Sequence, residues 1–134
     1  MIADRLPTAA EHEALARSVG WLDHFDYASM PASLAGSLRG SVVLVDDEVV
    51  GMARLVGDGV HYFYLQDVIV RPDHDGNGYA TQLVQRLLHW VAAVAPAPAV
   101  VGLFASPEAR GVYDDLGFTA GDATGMTISV DPAP

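Results

Sequence analysis

Between a β-branched run and an amphipathic helical pattern the chain reads Asp75-Gly76-Asn77-Gly78-Tyr79-Ala80, followed by Thr81. Small residues let the main chain approach a ligand closely, successive N–H groups point outward, and the start of the following helix adds about half a positive charge. The ligand suited to such a turn is a phosphate. The same two glycines would also serve a tight strand-to-helix turn with no ligand, and spacing alone keeps both readings open. Two phosphate-binding classes fall on residue identity. A Walker loop needs lysine, and the 7 basic residues here are all arginine. A dinucleotide site wants an acid about 20 residues further on, and no Asp or Glu occurs between Asp75 and Glu108.

The missing lysine also removes Schiff-base chemistry. With no cysteine there is no disulfide framework, thiolate metal site or cysteine acyl-enzyme. His61, His74 and His89 fall near the glycine turn, but no pair has ligand spacing on one strand or helix, so the sequence predicts no metal. No Gly-x-Ser-x-Gly elbow occurs, which sets aside the simplest serine hydrolase. The 17 acidic residues give a formal charge of -10, unsuited to a broad nucleic-acid or anionic-membrane surface. The first residues, Met1 to Pro7, lack the basic and apolar regions of a signal peptide, and no run approaches about 18 apolar residues. The expectation is a cytoplasmic protein.

The elements that must position the turn are legible from periodicity. Hydrophobic residues make up 51% of 134 residues, enough for one core and too short a chain for two, so one mixed α/β domain over residues 1–134 is expected. Thr8 and Glu11 form a capping-box pattern that opens a helix running to Val19 before Gly20. The segment Trp21 to Tyr27 is aromatic and acidic by turns and leads into a weaker helical pattern through Pro31, Leu34 and Leu38, broken by Gly36. Runs at Val42 to Val45, Val49 to Val56 and Val60 to Val70 predict an antiparallel meander. After the glycine turn comes a helix with Ala80, Leu83, Val84, Leu87, Leu88 and Val91 on one face, then a buried-type strand from Val100 to Phe104. Ser106 and Pro107 open a last helix that stops at Gly117, and Phe118 to Val130 reads as a terminal hairpin.

With these elements in order, the chain resembles the GCN5-related N-acetyltransferase (GNAT) superfamily. The resemblance rests on Val68-Ile69-Val70-Arg71-Pro72 with Asp75 to Leu83, and on Ala109-x-x-x-Tyr113-x-x-x-Gly117-Phe118. It implies a mixed α+β fold: a mostly antiparallel mixed sheet of about six to seven strands flanked by four helices. It implies an acetyl-coenzyme A cosubstrate, with the backbone of Val68, Ile69 and Val70 pairing with the pantetheine arm. Amides of the loop, from Asp75 through Gly76, Asn77, Gly78, Tyr79 and Ala80 to Thr81, would take the pyrophosphate. Tyr113 matches the family tyrosine proposed to protonate the departing thiolate; taken without that motif, it would read as a ring packed between helix and strand. Asp67 stands where related proteins carry an acid that takes the amine proton directly or through water; it could equally cap strand-end amides. Tyr64 and Gln66 share one alternation face of that strand and Asp67 the other, and a bulge, common here in the family, would reset the faces.

The chain departs from the family at two positions. Asp75 replaces the usual Gln or Arg, which sets a carboxylate against the pyrophosphate while allowing it to cap the helix start. Ser106 replaces the usual Asn seven residues before the tyrosine and keeps a hydroxyl. The loop between the first two helices borders the acceptor in similar proteins, so Trp21, Asp23, Asp26 and Tyr27, with Tyr64 and Gln66, are the expected contacts of a cationic amine. Homodimers are frequent among similar proteins and leave no mark here. The expected activity is transfer of an acetyl group to a primary amine by direct attack in a ternary complex. The alternatives are a non-catalytic acyl-coenzyme A binding module and a purely structural or oligomerising domain.

Overall fold

Helix α1 (Ala9–Ser18) starts where the capping box places it. The Thr8 side chain accepts from the Glu11 amide and the Glu11 carboxylate accepts from the Thr8 amide, satisfying two otherwise orphaned donors. Its inward residues His12, Leu15 and Ala16 are buried. A short 3₁₀ turn at Leu22–His24 follows, then α2 (Met30–Ala35), with Pro31 in its first turn and Gly36 at its end. A computed structural model describes residues 1–134 as two compact units, Met1–Leu103 and Phe104–Pro134.

The first unit is built on one sheet of five strands in sequence order: β1 (Ile2–Ala3), β2 (Arg39–Val45), β3 (Glu48–Gly57), β4 (Tyr62–Val70) and β5 (Val100–Gly102). β1 to β4 pair antiparallel and β5 joins β4 in parallel. The β2–β3 turn takes positive φ at both Asp46 and Asp47, the left-handed pair that matches strand twist in a two-residue hairpin. Val42, Met52 and Ile69 meet Leu15 and Ala16 on one face. On the other, Ser41 donates to the Leu83 carbonyl and Gly51 faces the Leu83 side chain, which places α3 (Tyr79–Val94) there.

The second unit contains α4 (Arg110–Asp115). Residues after Gly117 form neither helix nor strand, so the expected terminal hairpin is absent and the sheet has five strands where six to seven were expected. Met126, Ile128 and Val130 alternate as a strand would, yet all are more than four-fifths exposed; the pattern lacks a partner to give it a buried face. β1 is the opposite case, too short to carry a periodic signal. α4 also begins later than Pro107, because Pro107 to Ala109 form a turn closed on the Ser106 carbonyl.

Candidate active site

Two features of the first unit meet along β4. Opposite Ala53 the β3–β4 register slips: Arg54 pairs with Gln66 and Met52 with Ile69, leaving Asp67 and Val68 against one residue. Asp67 takes φ +56, a left-handed value uncommon for a residue with a Cβ. The resulting bulge turns the Asp67 side chain to the face of its neighbour, so that Gln66 Nε2 donates to Asp67 Oδ1 at 2.8 Å. The face reset is therefore present.

Asp67 Oδ2 accepts from His12 Nε2 at 2.8 Å and from Arg54 Nε at 2.9 Å. The side chains of His12, Asp67 and Arg54 are 0%, 2% and 8% exposed. Arg54 also donates from Nη1 to the Ser33 carbonyl and Ser37 Oγ and from Nη2 to Ser33 Oγ. His12 Nδ1 lies 2.9 Å from the hydroxyl of half-buried Tyr27, and Phe25 packs edge-on against the imidazole at 4.8 Å. Burial raises the Asp67 pKa, but the His12 hydrogen bond and the Arg54 charge outweigh it and hold the carboxyl below its usual range. An ionised carboxylate only accepts, so His12 presents an N–H to Asp67 at Nε2, and its Nδ1 faces the Tyr27 hydroxyl. No buried side-chain polar atom in the chain lacks a partner.

Further along β4 the chemistry passes to the main chain. β5 pairs only with Tyr62, Phe63 and Tyr64, so in this unit no strand pairs with Leu65–Val70 on that side. The strand runs through the 3₁₀ turn Pro72–His74 into Gly76 at φ +85 and Gly78 at φ +73. Gly78 is the N-cap of α3, no side chain caps that end, and the first turn carries no acid; the leading N–H groups are without side-chain partners. A Cβ at Gly76 would meet nothing within 4 Å, so backbone angle rather than space calls for glycine.

The expected site residues fall into three sets. Val68, Ile69 and Val70 lie on the strand edge, with the Ile69 side chain in the core; Gly76, Asn77 and Gly78 lie in the turn that follows, and Tyr79, Ala80 and Thr81 form the first turn of α3. Asp75 stands before the glycines, exposed and without a side-chain partner, and does not cap α3 as its position suggested, because the helix begins four residues later. Arg71 is committed to Glu48, Asp73 and His74, and Asn77 to the His74 carbonyl. The second set is the acceptor segment. Asp26 binds the Ser29 amide and hydroxyl, Asp23 and Trp21 are exposed, and Tyr27 points to His12. Burial raises the Tyr64 pKa, reinforced by the Asp67 charge. In the second unit, Ser106 Oγ accepts from the Ala109 amide at 3.3 Å. Tyr113 is buried against Phe118, and that burial raises its pKa.

Sequence reasoning missed His12, Arg54, Ser33 and Ser37. One signal was available: His12 begins the apolar stripe Leu15, Ala16, Val19, and a polar side chain on a core face requires a partner.

The acetyltransferase (GNAT) family model matches residues 6–118, and the chain belongs to that family. A Streptococcus pneumoniae GNAT-family acetyltransferase is 28% identical with a TM-score of 0.80, covering 98% of this chain and 97% of that one. A Staphylococcus aureus protein described as a probable acetyltransferase superposes with a TM-score of 0.88 at 23% identity, covering 97% and 98%. An aminoglycoside acetyltransferase from a soil metagenome has the same fold, with a TM-score of 0.75 at 17% identity and coverage of 98% of both chains. No curated protein matches. No helix is long and apolar enough to cross a membrane.

Proposed function

We propose that the chain, acting as one domain, transfers the acetyl group of acetyl-coenzyme A to a primary amine by direct attack in a ternary complex. The observation that carries this reading is the edge of β4 beyond Tyr64, without a neighbouring strand and continuous with the uncapped start of α3. An extended pantetheine arm can add to such an edge through main-chain hydrogen bonds, and a pyrophosphate suits the N–H groups that follow. The attraction is local, so a formal charge of -10 does not oppose it beyond a Debye length of about 8 Å. Backbone N–H groups at the bulge are the candidates to stabilise the oxyanion. Tyr113 is assigned the proton returned to the thiolate on its sequence motif alone.

The acceptor we assign is a cationic amine on an apolar body, approaching Trp21 to Tyr27, a segment in which exposed Asp23 is interspersed with aromatic residues in the sequence. The reading is tested by calorimetry with acetyl-coenzyme A up to millimolar concentration, followed by thiol release across a pooled primary-amine library. Saturable binding and amine-dependent release are expected. No binding would overturn the reading, and binding with no amine-dependent release would favour a non-catalytic acyl-coenzyme A module.

A further inference from the structure

The buried charges around the β4 bulge make a directed path. Asp67 cannot present itself to an amine: its side chain is 2% exposed, and His12, Arg54 and Gln66 already donate to its two oxygens. His12, fully buried, cannot reach a substrate either. The imidazole nevertheless has one nitrogen on the carboxylate and the other on the hydroxyl of Tyr27, and Tyr27 as a residue is partly exposed. An acid, an imidazole oriented by it and a hydroxyl at the outer end are the parts needed to move a proton to or from a group meeting that hydroxyl. The path ends in the bulge from which the open edge Val68–Val70 departs.

We propose that Tyr27, His12 and Asp67 form a proton relay that receives the proton of the attacking amine, with Tyr27 Oη as the atom that meets the nitrogen. The proposal rests on the acetyltransferase reading. The neutral amine attacks the thioester carbonyl, forming the C–N bond as the carbonyl oxygen takes the electron pair. The nitrogen gives its proton to Tyr27 Oη as the tyrosine proton passes to His12 Nδ1. The imidazolium is then compensated by Asp67, which Arg54, anchored by Ser33 and Ser37, keeps in place. Collapse of the oxyanion breaks the C–S bond, the thiolate leaves and takes the proton assigned above to Tyr113, which water restores, and His12 returns its proton through Tyr27 to water. Tyr27 is a catalytic residue in this scheme; His12, Asp67 and Arg54 are positioning residues.

Several charged groups act on the path. Glu13 and Arg17 of α1 and Asp67 of β4 act on Tyr27, Asp67 acts on Tyr64, and Arg54 of β3 acts on Asp67. No titratable side chain other than Asp67 and Tyr27 hydrogen-bonds the His12 ring.

The test uses the full chain, saturating acetyl-coenzyme A and whichever library amine wild type turns over fastest. Tyr27→Phe removes one hydroxyl and keeps the ring, and should lower kcat by about 100-fold or more. Its acetyl-coenzyme A dissociation constant should be unchanged, and the acid limb of the wild-type pH profile should flatten. His12→Gln should give a similar loss, and the double variant no further loss, because the residues act as a unit. A loss under about threefold in Tyr27→Phe, far below a general-base contribution, would overturn the relay, as would an unchanged pH profile or additive losses. Wild-type turnover with an unaffected Tyr27→Phe sinks the relay alone; no wild-type turnover sinks the acetyltransferase reading and the relay together.

Discussion

The bulge and the glycine loop, joined by a few residues of β4, work by opposite means. At the bulge, side chains do everything: a buried carboxylate, imidazole and guanidinium are held together, and two serines nearer the surface anchor the guanidinium. In the loop, no side chains join in such a network. The Asp75 side chain has no hydrogen-bond or ion-pair partner, Asn77 braces a neighbouring carbonyl, and no side chain caps the start of α3. A proton-handling site needs groups held in one geometry in low dielectric, whereas an anion site needs only converging N–H groups. The division leads to different penalties. Damage at the bulge should appear in folding and in turnover, and damage in the loop chiefly in cofactor affinity.

The largest effect is expected at Asp67. Asp67→Asn leaves the buried Arg54 and His12 without their anion, and breaking such a buried pair costs about 3–5 kcal/mol, measurable by urea denaturation. The wild type should also lose stability in acid. The folded-state pKa of Asp67 is depressed, so its contribution is complete above the unfolded value of about 3.9 and disappears as pH falls below that toward the folded pKa. Asp67→Asn should lack this acid-side loss. Unchanged stability in the variant would mean that the network is not held as described.

Gly78→Ala comes next and probes the other region. With φ +73 and only the distant Gln82 amide within 4 Å of a new Cβ, the cost is conformational, about 1–2 kcal/mol. If the loop relaxes to avoid it and the N–H groups turn aside, the acetyl-coenzyme A dissociation constant should rise about tenfold, the equivalent of 1.4 kcal/mol, with smaller change in the urea midpoint than Asp67→Asn. An unaltered dissociation constant would separate the loop from the cofactor.

How much of each region the sequence disclosed follows the same division. The loop is local: two glycines between a strand and an amphipathic helix determine its conformation within a few residues, so its place was legible. The meander and the capping box at Thr8 were legible for the same reason. The bulge network joins residues 55 positions apart in the chain, and no spacing rule links His12 to Asp67. The register slip that turns Asp67 toward His12 leaves no composition mark either. At the C-terminus the alternation of Met126, Ile128 and Val130 misled, because period-two patterning reports a potential face and not a paired one.

Smaller effects should sharpen the loop's side of the contrast. Asp75→Gln and Asp75→Arg should tighten acetyl-coenzyme A binding by up to about tenfold at low salt, and less at about 0.15 M, where screening sets in at about 8 Å. Apo stability should not change, since Asp75 caps nothing. Equal dissociation constants for all three proteins at low salt would show that the carboxylate points away from the pyrophosphate. Smaller still, Asp23→Asn should raise the KM of a cationic acceptor several-fold and leave acetyl-coenzyme A affinity alone. Asp26→Asn should instead loosen the turn it holds at Ser29. Identical acceptor kinetics in Asp23→Asn would remove that carboxylate from the acceptor path.

The most direct test of the account is the stoichiometry of product and thiol in the wild-type protein, with acetyl-coenzyme A and the pooled primary amines. Free thiol and acetylated amine should appear together, one for one, with no acetylated protein accumulating and no thiol released when amine is withheld. Thiol release that proceeds without amine, or an acetylated protein that forms first and then decays, would contradict direct transfer in a ternary complex.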